Sequence, residues 1–66
     1  MTNLIEFATE VITKFPKLKN EINELIQLCV TEIEEGSSES HEIGLCWTDI
    51  EELVKEEEAN ILIRNI

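Results

Sequence analysis

The chain has 66 residues, 42% of them hydrophobic, and sets 15 acidic side chains against five basic ones for a formal net charge of −10 at neutral pH. That length holds one domain, residues 1–66, close to the lower limit at which a single core sustains itself. So negative a surface repels phosphate backbones and anionic lipid alike, which disfavours direct binding to nucleic acid or to a membrane surface.

The first apolar stripe runs through Leu4, Ile5, Ala8, Val11, Ile12 and Phe15, at the spacing of one helical face. Asn3 followed by Glu6 resembles a capping box, and Pro16 disfavours helical geometry at Phe15, so the predicted first helix spans 3–14. The second helix is predicted over 17–35, with Leu18, Ile22, Leu25, Ile26, Cys29 and Ile33 on one face. Leu28 and Val30 lie off that face, so the middle of this helix is apolar around much of its circumference and needs cover from more than one side. Two other helices hardly suffice for residues 25–30, and a homodimer sharing that surface is the expected remedy. Gly36 stands where a helix C-terminus commonly takes a left-handed residue.

Residues 34–47, EEGSSESHEIGLCW, then read as a polar acidic loop with a docked apolar end, in which Trp47 plugs the end of the bundle. Thr48, Asp49, Ile50 and Glu51 form a good capping box for a third helix over 48–66. Running that helix to the terminus keeps Glu56, Glu57 and Glu58 away from the negative end of the dipole and lines up Ala59, Leu62, Ile63 and Ile66. The predicted fold class is therefore all-α, a small three-helix bundle. The competing α+β arrangement pairs two short strands, 42–47 and 60–66; it is marginal because a two-stranded sheet is weak alone and Gly44 weakens it further.

Charge is divided unevenly along the chain. Residues 1–31 hold four Glu against three Lys, whereas residues 32–66 hold eleven acids against Lys55 and Arg64. The N-terminal MTNLIEF lacks the basic start and apolar core of a signal peptide, and no apolar run approaches the roughly 18 residues of a bilayer span. The expected setting is cytoplasmic and reducing, with Cys29 and Cys46 as free thiols rather than a disulfide.

Few residues here are arranged for chemistry. His41 lies among Glu34, Glu35, Glu39, Glu42 and Cys46, ligand types that could hold a divalent cation, yet neither a zinc nor a calcium spacing is present. Metal binding through this loop is an alternative reading. No cofactor is expected. Cys29 belongs to an apolar face, and Cys46, taken as the more exposed thiol, has acidic neighbours that disfavour a thiolate, so no catalytic nucleophile is expected.

What remains is a non-enzymatic protein interaction or assembly module with a protein partner of basic character. Its candidate contact residues are Leu28 and Val30, left over by the second helix, and Asp49, Glu52 and Glu56, which share one face of the third. A second form of the idea is an inhibitor whose carboxylates imitate the phosphates of DNA and occupy a basic nucleic-acid-binding protein. Lys55 interrupts that face through an expected i, i+4 pair with Glu51.

Overall fold

The computed structural model describes all 66 residues and contains three α-helices and no strand. Helix α1 spans Thr2–Lys14, α2 spans Lys19–Glu34 and α3 spans Glu39–Arg64. A single 3₁₀ turn, Pro16–Leu18, joins the first two. The bundle is all-α as the hydrophobic periodicity predicts. Of the two segments in the strand alternative, 42–47 lies wholly within α3 and 60–66 forms its last turn and the two residues beyond.

Two of the three boundaries follow from local chemistry already visible in the chain. Phe15 is pushed to φ −129° and ψ 75° ahead of Pro16, and its N–H closes the last turn of α1 on the Val11 carbonyl at 2.7 Å. At the end of α2, Gly36 takes φ 106°. Its N–H bonds the Ile33 carbonyl and the Ser37 N–H bonds the Glu32 carbonyl, a complete Schellman motif that only a glycine enters without strain. The expected box at Asn3 and Glu6 does not form; α1 starts one residue earlier, with Met1 at the N-cap and no side-chain cap.

The third boundary differs most from expectation. Helix α3 begins nine residues before Thr48, with Ser38 at its N-cap accepting a hydrogen bond from the His41 N–H at 3.5 Å. Most of the stretch read as a loop is therefore helix. Ile43, Cys46, Trp47 and Ile50 stand at i, i+3, i+4 and i+7, so their helical stripe overrides both the alternation around Gly44 and the capping signal at Thr48. Glu39 and Glu42 sit in the first turn, where they complement the helix dipole.

The core consists of Leu4, Ala8 and Val11 from α1, Leu18 from the 3₁₀ turn, Ile22 and Cys29 from α2, and Cys46 and Ile50 from α3. Trp47 is not an end plug. It lies within α3 and stacks on Phe7 of α1, with ring centroids 4.4 Å apart and planes within 4°. Glu57 continues the same inward stripe and is 7% exposed, unlike its neighbours Glu56 and Glu58, which are exposed. Its carboxylate is held by Lys17 Nζ and an Arg64 guanidinium nitrogen, each at 3.4 Å. These are the two ion pairs of the molecule, so the expected bridge from Glu51 to Lys55 is not made.

At 1.5 Å per residue α3 is about 39 Å long and α2 about 24 Å, and the last turns of α3 overhang the bundle. The Cα extents of 46 × 17 × 16 Å and the radius of gyration of 12.9 Å record that overhang, against about 11 Å for a compact chain of this length. Leu62, Ile63 and Ile66 stand exposed on it. No helix is long and apolar enough to cross a membrane.

Candidate functional site

Three packed helices leave furrows between them, and the two that flank α3 differ in lining. Between α1 and α3 lies a furrow of about 380 Å³ floored by Phe7, Val11, Phe15 and Val54. Its edges mix Lys14 and Lys55 with Glu10, Glu51 and Glu58. Opposite charges thus share its rim.

The furrow between α2 and α3 is built of leucines. Leu25 and Leu28 project from α2, and Leu45 and Leu53 from α3, lining two adjoining depressions of about 310 and 90 Å³ that share Leu25 and Leu28. Leu28 is 57% and Leu45 50% exposed. The edges carry Glu21 and Glu24 on α2 and Glu42 and Asp49 on α3, with no cation among the lining residues of either depression. Farther along, Glu56 and Leu53 line the next depression, where Lys17 first appears. Leu25 and Leu28 occupy α2 three residues apart and Leu45, Asp49, Leu53 and Glu56 recur on α3 at spacings of four, four and three, so each helix presents one continuous edge to the furrow.

The structure thus brings together three of the five contact residues expected from sequence: Leu28 and Asp49 share a depression, and Glu56 follows on the same edge. Glu52 is exposed on α3 and lines none of these depressions, while Val30 is half-buried and lies outside the furrow. Leu45, Leu53, Glu21 and Glu24 were missed. For Leu45 the reason is the misplaced start of α3, since a residue assigned to a loop has no helical face to share with Asp49.

Beneath the leucines, Cys29 and Cys46 line the floor of the smaller depression as free, buried thiols. Burial pushes the Cys46 pKa up to about 11, assisted by the charge of Cys29 and by Asp49. Cys29 is raised as well, by burial first and then by Glu42. Both stay protonated at neutral pH. Cys46 is therefore the opposite of exposed, and its environment suits a core residue rather than a nucleophile. His41 stands exposed in the first turn of α3, and no three His, Cys, Asp or Glu side chains converge to hold a metal ion. Most of the loop on which metal binding would depend is helix. No buried side-chain nitrogen or oxygen lacks a partner.

Comparison with protein-family models, with curated proteins and with solved structures finds no match.

Proposed function

We propose that this chain is a non-enzymatic protein interaction module that works through its α2–α3 face. The observation that supports the reading is the pair Leu28 and Leu45, both half-exposed or more, beside each other on a face that α1 does not cover. Large apolar side chains gathered in a lined depression mark contact surfaces more often than the same residues scattered singly. The acidic edges select for partner charge, and they weigh against a second copy here, because pairing this face with itself would gather two sets of Glu21, Glu24, Glu42 and Asp49 around one contact.

Capture of partners from extract by the immobilised wild type and by the double variant Leu28→Ser, Leu45→Ser tests this. Both positions are exposed, so the variant should keep its helicity by circular dichroism while its captured set shrinks. An identical set would remove the α2–α3 face from the reading. The charge-mimic form makes the reverse demand. Its binding should survive the leucine changes and vanish with Glu52→Lys and Glu56→Lys, since carboxylates in place of phosphates carry all of its affinity.

A further inference from the structure

We infer that the occupant of the α2–α3 furrow is one amphipathic helix of a partner protein, with an apolar stripe flanked on both sides by Lys or Arg. The inference rests on the module reading and adds the partner's chemistry to it. From Leu45 to Glu56 the furrow follows three turns of α3, a length of about 16 Å that matches a helical segment of roughly 11 residues. A helix lying there completes a four-helix arrangement, and side chains at i, i+3 or i+4, and i+7 reach successive leucines.

Charge decides what flanks that stripe. The two edges carry Glu21 and Glu24 on one side and Glu42, Asp49 and Glu56 on the other. None of these five carboxylates has an ion-pair partner in the molecule, because both ion pairs are spent on Glu57. Five unpaired carboxylates along two edges attract a helix with cationic flanks and repel one with acidic flanks. The α1–α3 furrow carries less of this bias, since Lys14 and Lys55 stand among its own three acids, whereas the one cation beside the α2–α3 edges, Lys17 at the Glu56 end, is engaged with Glu57. Two competing occupants are weaker on the same grounds. A second copy's face doubles the negative charge, and the apolar overhang of a second copy carries only Arg64 as a cation, already engaged with Glu57.

The probe is a pair of designed peptides about four turns long. Both place Leu on one helical face, one with Lys and the other with Glu at every flanking position. Titration of the whole 66-residue protein, read by amide chemical shifts and by calorimetry, should show binding of the Lys peptide alone, with shifts centred on Leu25, Leu28, Leu45 and Leu53. Affinity should fall by about tenfold or more in Leu28→Ser, Leu45→Ser, a loss of about 1.4 kcal/mol. Glu24→Gln with Asp49→Asn should weaken binding and flatten its dependence on salt between about 0.05 and 0.3 M. Equal binding of the Lys peptide to the leucine variant overturns the inference, because attraction to a general acidic surface then explains it. So does equal binding of the Glu peptide, or no binding of either. Concentration-dependent self-association in sedimentation that disappears in the leucine variant would assign the furrow to a second copy and also overturn it. Failure of the module reading is separate: it appears as an extract in which the wild type captures nothing while the peptide still binds.

Discussion

Along α3, the edge toward α1 carries Trp47, Glu51, Val54 and Lys55, and the edge toward α2 carries Leu45, Asp49, Leu53 and Glu56. The first edge is sealed by an aromatic stack in its upper part and opens below into the furrow of about 380 Å³, where lysines sit among the carboxylates. The second is left half-open, with leucines between carboxylates that no cation neutralises. One helix thus stacks an aromatic ring against α1 on one side and leaves Leu45 half-exposed on the other. Burial, rather than hydrophobicity, separates Trp47 from Leu45, because a leucine is as apolar as anything in the core.

Truncating one side chain on each edge should separate the two most strongly. Trp47→Ala removes the stack on Phe7 and part of the cover over the core, and should cost about 3 kcal/mol or more. A bundle this small has only about 3–5 kcal/mol to lose, so this variant should be largely unfolded in urea titrations near room temperature. Leu45→Ala, equal in kind but half-exposed, should cost less than about 0.5 kcal/mol by the same titration. Comparable losses from both would mean that the α2–α3 edge is as much a part of the core as the other.

Alkaline pH probes the floor of the open furrow next. The fold holds the protons of Cys29 and Cys46 more tightly than the unfolded chain does, because burial disfavours the thiolate. For a thiol raised from 9.0 to about 11, the corresponding stabilisation is complete below about pH 9 and is lost as pH rises toward about 11. Urea midpoints should therefore fall across that window, and Cys46→Ala should flatten the fall. At neutral pH both thiols should resist iodoacetamide until the chain is unfolded. Rapid alkylation of the native protein would show that the floor opens to solvent.

Much of this architecture is legible in the order of the residues alone. The apolar stripes of α1 and α2, the end of α1 at Pro16 and the cap at Gly36 follow from features within a few residues of each place, whereas the box at Asn3 does not form and α2 starts at Lys19 rather than residue 17, after the 3₁₀ turn. The start of α3 does not follow from such features, because two cap signals compete. Thr48 with Glu51 is the stronger local match, whereas Ser38 leads a stripe whose value emerges only when Trp47 meets Phe7 and Cys46 meets the floor beside Cys29. Those contacts join residues well separated along the chain, and tertiary packing outweighs local propensity. The same cause hid the upper end of the open furrow, since Leu45 joins its α3 edge only if residues 42–47 are helical. Glu57 is a different failure: three neighbouring glutamates look alike in sequence, and only the helical steps from Ile50 through Leu53 and Val54 single out the one that turns inward.

Gly44 lies in the first turns of α3, close to the open edge. It is a helix-interior glycine beside Leu45, and a Cβ added there would meet nothing within 4 Å. Gly44→Ala should stabilise the protein by about 0.5–1 kcal/mol through helix propensity and raise the melting temperature by about 3–6 °C. The Lys peptide should bind this variant unchanged, because the new methyl leaves the leucines where they are. Gly36→Ala should do the opposite and lower stability, since φ 106° is strained for any side chain.

The smallest effect discriminates best between the two places where the third helix could begin. With Ser38 as the cap, Ser38→Ala removes an acceptor from the His41 N–H, and the 3.5 Å length of that bond puts the loss at the low end of cap energies, about 0.5 kcal/mol. Thr48 is then an exposed mid-helix residue, and Thr48→Ala should raise stability by a few tenths of a kcal/mol, about the difference in helix propensity. A helix starting at Thr48 demands the reverse pair, a loss of about 1 kcal/mol at Thr48 and nothing at Ser38. Because the two alternatives predict opposite signs at Thr48, thermal melts of the two single variants decide between them even though neither change is large. The outcome bears on function too: if the helix began at Thr48, Leu45 would leave the furrow, and the edge that faces α2 would start at Asp49 with one leucine fewer to offer a partner.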